Sequence, residues 1–158
     1  LEEHRLSAAW AGARPSGRPA VVTGVFDLLH VGHVRYLAEV AARGLPVVVG
    51  IEDDERVRAW KGPTRPVNTA AERAEVMAAL RSVAGVFVIS GPPDAAGWRD
   101  YVGLLAPMEP AALAFTAGDP HTEAKRLGAE ALGAEAWEFG LTEARSTSAM
   151  LEVIASRS

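Results

Sequence analysis

Two imidazoles three residues apart, His30 and His33, flank Gly32 in the string Phe26-Asp27-Leu28-Leu29-His30-Val31-Gly32-His33. An apolar, β-branched run from Ala20 to Val25 precedes them, and a helical pattern begins near Gly32. Where a strand of a parallel sheet hands over to a helix, the free N–H groups and partial positive charge of the helix start suit an anion. Such junctions lie at the carboxyl edge of the sheet, where ligands bind. Two imidazoles placed there can each donate a hydrogen bond to a polyphosphate. The other readings of such a pair are capping or surface residues and a metal site. Zinc usually takes three or four protein ligands, and only His4 and His121 remain as imidazoles in a chain without cysteine. Nucleotide chemistry is the stronger expectation.

Further charged and hydroxyl residues follow other strand-like runs. Lys61-Gly62-Pro63-Thr64-Arg65-Pro66 holds two prolines and a glycine, which disfavour a helix and predict a shaped loop presenting Lys61 and Arg65. Ser146-Thr147-Ser148 reads as the start of the last helix. Asp119 follows the fourth strand. The acidic run Glu52 to Glu55 reads as solvated surface, as do Lys125 and Arg126, and the four tryptophans as core or rim packing.

The elements that must position these residues alternate. Strands are predicted at Ala20–Val25, Pro46–Ile51, Gly85–Ser90, Ala112–Thr116 and Ala136–Phe139. Helices are predicted from Val34 to Arg43, from a Thr69/Glu72 capping box onward, from Ala95 to Leu105, from Glu123 to Leu132, and from Ser146. The helix after Thr69 is expected to bury Ala71, Val76, Ala79 and Leu80. Alternation of this kind predicts an α/β fold, a doubly wound five-stranded parallel sheet. Residues 1–19 are expected to form a short helix (Leu6, Ala9 and Trp10 on one side) and a Pro/Gly linker. Residues 20–158 are expected to form the catalytic domain.

At 158 residues the chain is long enough for one domain with a full core. A net charge of −4 argues against a general nucleic-acid surface. No apolar run approaches the roughly 18 residues of a membrane helix, and no signal-peptide pattern is visible. Cytoplasmic is the default expectation, with no nucleic acid and no membrane as partners.

The string around His30 and His33, with Ser146-Thr147-Ser148 near the C-terminus, resembles the nucleotidyltransferase superfamily with its His-x-Gly-His signature. The likeness runs from Val21 to Ile154. Val57 to Asn68, with Glu72-Arg73 after it, most resembles the nucleotidyltransferase domain of ADP-heptose synthase; glycerol-3-phosphate cytidylyltransferases and FAD synthetases are more distant. The resemblance implies a Rossmann-like fold that joins a nucleoside triphosphate to a phosphorylated small-molecule acceptor and releases pyrophosphate. It implies that His30 and His33 contact the triphosphate and that Gly32 allows close backbone approach. Lys61 would hold the acceptor phosphate or triphosphate, helped by Arg65 or Arg73. Gly24, Val25, Phe26 and Asp27 would line the nucleotide, Asp119 would meet the nucleoside, and Ser146, Thr147 and Ser148 the β- and γ-phosphates. It further implies Mg²⁺ carried in with the triphosphate, no metal site built from protein ligands, and a homodimer.

The chain departs from these relatives in places. It has Thr23-Gly24-Val25-Phe26-Asp27 where the heptose-type enzymes have Thr-Asn-Gly-Cys-Phe-Asp, and Thr116-Ala117-Gly118-Asp119-Pro120 where they have Lys-Gly-Gly-Asp-Tyr. Leu141 replaces an arginine of the cytidylyltransferases, which tilts the expected nucleotide slightly toward ATP over CTP. A cytidylyltransferase and a non-catalytic nucleotide-binding module are the alternatives.

Overall fold

A computed structural model describes residues 4–140 and 147–157. Strands β1 (Ser7–Trp10), β2 (Ala20–Gly24), β3 (Val47–Glu52), β4 (Gly85–Ser90), β5 (Ala112–Thr116) and β6 (Glu135–Phe139) form one sheet in the order β1-β4-β3-β2-β5-β6. All neighbours pair in parallel except β1, which runs antiparallel to β4. The helices are α1 (Val31–Ala41), α2 (Asp54–Lys61), α3 (Ala70–Ala78), α4 (Trp98–Leu105), α5 (Thr122–Leu132) and α6 (Thr147–Ser156). The doubly wound α/β architecture expected from the sequence is present, with six strands in place of five.

Strand alternation divides the core between the two faces. Ala20, Val22, Val49 and Ile51 pack with Leu37 and Val40 of α1 and with Ala74 and Met77 of α3. On the opposite face Val21, Val48, Phe87 and Ile89 pack with Leu104 and Leu105 of α4 and Ala129 of α5. Each of the Val, Leu, Ile, Phe and Met side chains among them contributes about 1.5–3 kcal/mol when fully buried. The sheet is not uniformly zipped: β2 pairs with β3 over five positions, but with β5 only at Ala20↔Ala112 and Val21↔Leu113. Beyond Val21 the two strands part. A crevice opens at the carboxyl edge, where the strand order reverses, the usual ligand position of such sheets.

Two local expectations are corrected, and one helix absent from them is found. The predicted N-terminal helix is instead strand β1. Leu6, Ala8 and Trp10 alternate inward while Ser7 and Ala9 face out, and Trp10 packs on Phe87 at 5.3 Å between ring centres. A two-residue period fits the edge of the sheet, and it outweighs the weak helical spacing. Before the Gly62-Pro63 turn the chain forms α2, capped by the Asp53 carboxylate accepting from the Arg56 N–H (2.9 Å). Finally, α3 buries Arg73, Ala74 and Met77, while Val76 is 43% exposed. The guanidinium of Arg73 sets that rotation, for reasons given below.

Candidate active site

The site begins where β2 ends. Gly24 lies so close to the Phe26 ring that a Cβ there would approach it to 3.0 Å. Phe26 itself has φ +50°, a left-handed conformation costing on the order of 1–3 kcal/mol for such a residue. That turn delivers the chain to Asp27, whose side chain is buried. Its carboxylate accepts from the N–H groups of Val67 (2.7 Å) and Asn68 (2.9 Å) and from Arg65 Nε (3.2 Å). Asn68 Nδ2 donates back to the Asp27 carbonyl at 3.1 Å. Asp27 thus fastens the 62–69 segment to the β2–α1 junction.

The two imidazoles then cap α1. His30 Nδ1 accepts from the Gly32 N–H (3.1 Å), and His33 Nδ1 accepts from the His30 N–H (3.4 Å). Because both Nδ1 atoms accept, each neutral ring carries its proton on Nε2, and neither Nε2 has a protein partner among the described residues. The rings stack with centres 3.8 Å apart, and Phe26 meets His33 edge-on at 5.4 Å. Burial lowers the His30 pKa; burial, followed by the His30 charge, lowers that of His33 to about 4. Near neutrality the pair is a set of uncharged N–H donors at a helix N-terminus.

Arg73 does not join them. It is about 1% exposed, and its guanidinium donates to Asn68 O (3.0 Å), Val25 O (2.8 Å), Glu52 O (2.8 Å) and Asp54 Oδ1 (2.8 Å). The expectation that Arg73 holds a phosphate is replaced by a bracing role: it ties the ends of β2 and β3 to the starts of α2 and α3. Arg65, paired with Asp27, has a side chain only 10% exposed.

The acidic run is the solvated surface expected only at Glu55, and Asp53 and Asp54 are half-buried. Glu52 is 4% exposed and Arg56 fully buried. Glu52 Oε2 accepts from Arg56 Nε (2.7 Å) and Oε1 from the Tyr101 hydroxyl (2.5 Å). Arg56 also donates to Pro92 O (2.7 Å), Ala95 O (3.1 Å) and Tyr101 Oη (3.2 Å).

A cavity of about 520 Å³ occupies the crevice between β2 and β5. Thr23, Gly24 and Val25 form one rim, Trp60 and Lys61 at the end of α2 a second, and Asp119, His121 and Lys125 a third. Asp119 Oδ2 pairs with Lys125 Nζ (2.6 Å) and Oδ1 accepts from the His121 N–H (2.7 Å). Burial alone would raise the Asp119 pKa, but Lys125 and that N–H outweigh it and hold the carboxyl below its usual range. Lys125 is therefore at the cavity rim and not on a solvated face; its place in the first turn of α5, just after β5, is the signal that points to it. Trp60, Trp98 and Tyr101 line the same space, and sequence reasoning missed them by treating large aromatics as packing. The structure thus gathers Gly24, Val25, Lys61 and Asp119 around one crevice, with His30, Gly32 and His33 on the adjoining α1 start. Thr147 and Ser148 open α6, while Ser146 lies outside the described residues. Among the described residues no group of three or more His, Cys, Asp and Glu is placed to hold a metal ion, and no helix is long and apolar enough to cross a membrane.

Comparison with known proteins agrees with this fold. Residues 21–92 match the family described as cytidylyltransferase-like. The chain is 35% identical over 160 residues to the bifunctional protein HldE of Shewanella amazonensis, an alignment covering 99% of this chain and 32% of that protein. With the protein of the same name from Ectopseudomonas mendocina it shares 36% over 158 residues, covering 98% and 32%. With that of Coxiella burnetii (strain Dugway 5J108-111) it shares 45% over 84 residues, covering 52% and 18%. The chain therefore spans about a third or less of the length of these relatives. The crystal structure of the lipopolysaccharide core biosynthesis protein from Thermoplasma volcanium GSS1 superposes with a TM-score of 0.61 at 21% identity, covering 79% of this chain and 96% of that one. That likeness is one of fold.

Proposed function

We propose, from the match of residues 21–92 to the cytidylyltransferase-like family, that the chain transfers a nucleotidyl group from a nucleoside triphosphate to a small phosphorylated sugar or alcohol. The observation that carries the reading is the division of labour between the two faces of the sheet. The imidazole pair caps α1, which packs on the face of Val22 and Val49. The cavity rimmed by Lys61 opens beside Val21, Leu105 and Leu113, which belong to the opposite face. A triphosphate seated on the α1 start brings its α-phosphorus to the Gly24–Phe26 rim, between the two.

An oxygen of the acceptor phosphate, arriving from the cavity, attacks the α-phosphorus. The bond from that phosphorus to the oxygen bridging to the β-phosphorus breaks, and pyrophosphate leaves on the side of the imidazoles. No nucleophile from the protein is needed, so rate enhancement comes from positioning and from donors aimed where charge grows. His30 and His33 offer their Nε2–H groups to the leaving pyrophosphate. Lys61 offers a mobile positive charge to the incoming phosphate. Asp27, through Val67 and Asn68, and Arg73, through Val25 and Glu52, hold these elements in register.

Mg²⁺ belongs to this proposal as an ion bound to phosphate oxygens, and when bound it neutralises charge on the triphosphate. The carboxylates of Asp27 and Asp54 are occupied by Val67, Asn68, Arg65 and Arg73, which fits an ion carried by the nucleotide. ATP is slightly favoured over CTP, on the replacement of the cytidylyltransferase arginine by Leu141.

Pyrophosphate release, measured with ATP and CTP against a panel of phosphorylated acceptors, tests the reading. Turnover with one pair is expected, together with a fall of roughly 10²–10³ in kcat for His33→Ala, the scale of one lost charge-stabilising donor. Nucleotide binding without turnover for any pair would identify a binding module instead.

A further inference from the structure

Resting on the transfer reading above, we propose that the acceptor is amphipathic: its phosphate meets Lys61, and an apolar group of several carbons fills the cavity behind. At about 520 Å³ the cavity is far larger than a phosphate needs, and lies in the usual range for small-molecule sites. Its inner wall is Val102, Leu105, Leu113 and Leu132. Apart from Thr23, Lys61 and His121 on its rims, the polar side chains among its lining are already bonded to the protein. Each oxygen of Glu52 accepts a hydrogen bond, from Tyr101 and from Arg56. The Tyr101 hydroxyl both donates to Glu52 and accepts from Arg56. Trp60 Nε1 donates to Pro93 O at 3.1 Å, and Asp119 and Lys125 hold each other.

A polyhydroxylated group pushed to this depth would lose its bonds to water without replacing them, at roughly tenfold in affinity per unmatched hydroxyl. An apolar group loses nothing and gains burial. The nucleoside is a poorer occupant, because α1 and its imidazoles pack on the other face of the sheet.

The test is calorimetric binding of straight-chain alkyl phosphates, ethyl to hexyl, and of glucose 6-phosphate. It is run on the full chain with and without α,β-methylene-ATP or α,β-methylene-CTP. Affinity is expected to rise about fourfold per methylene, with hexyl phosphate binding at least roughly tenfold tighter than glucose 6-phosphate. Gly128→Leu is expected to flatten the series, since a Cβ at Gly128 lies 3.8 Å from Val102 Cγ2 and 3.9 Å from Leu113 Cδ1. Gly128→Ala fits those distances without disturbing the fold and is expected to shorten the series by about one carbon. A flat wild-type series, tighter binding of the sugar phosphate, or displacement of hexyl phosphate by either triphosphate analogue would overturn the proposal. Pyrophosphate release keeps the two readings apart. A rising series with no release from any pair retains the apolar cavity and removes the transfer. Release with sugar phosphates beside a flat alkyl series does the reverse.

Discussion

The ends of β2 and β3 are adjacent in the sheet and both rich in polar groups, yet they are built to opposite purposes. At the end of β2 the imidazoles use only their Nδ1 atoms on the backbone, and both Nε2 atoms lack a protein partner among the described residues. At the end of β3, Glu52, Asp54, Arg56 and Arg73 are bonded to one another, to Tyr101 and to backbone carbonyls. The first junction keeps donors for a ligand, and the second holds still the rim on which that ligand would sit. A cation's type does not say which purpose it serves. Lys61 and Arg73 both follow β3, but one lines the cavity and the other is buried.

Arg73→Ala should break the contrast most severely. It strips Val25, Glu52 and Asn68 carbonyls and Asp54 of a buried partner, and a loss of about 3–5 kcal/mol is expected in urea unfolding. A variant of unchanged stability with weakened triphosphate binding would make Arg73 a phosphate ligand after all. Asp27→Asn should cost less, about 1.5–3 kcal/mol, since one amide replaces a carboxylate that accepts from two N–H groups and Arg65. Unfolding curves read this effect too. Lys61→Ala sharpens the comparison from the other side: a stability change within about 0.5 kcal/mol, with loss of turnover on the phosphorylated acceptor.

The imidazoles give a dependence on pH. The His33 pKa is lowered from 6.5 to about 4 in the folded chain, so the unfolded chain takes up this proton first. Its contribution to stability is complete above pH ~6.5, declines as pH falls, and levels off below about 4. Thermal unfolding from pH 7.5 to 4 should show that decline, and His33→Gln should reduce it. An unchanged slope in the variant would place the acid sensitivity elsewhere.

What the sequence disclosed follows the same division. Long β-branched strands, the Thr69/Glu72 capping box and the Gly133 stop at φ +67° were legible because local chemistry decides them. The imidazole pair was legible because its spacing at a strand–helix junction has few other uses. By contrast, β1 owes its strand to pairing with β4, a partner far away in sequence. Arg56 and Glu52 read as surface charge because their neutralisation depends on Tyr101 and on the carbonyls of Pro92 and Ala95. The Lys125–Asp119 pair and the aromatic lining of the cavity likewise form only when separate elements meet.

The central claim is that leaving pyrophosphate and incoming acceptor approach one phosphorus from opposite faces of the sheet, without a covalent intermediate. The configuration at the α-phosphorus reports this directly, using a nucleoside 5′-(α-thiotriphosphate) of known chirality and an accepted phosphorylated substrate. A single in-line displacement predicts inversion at that centre. Retention would require two successive displacements through a nucleotidylated residue of the protein, and would contradict the account.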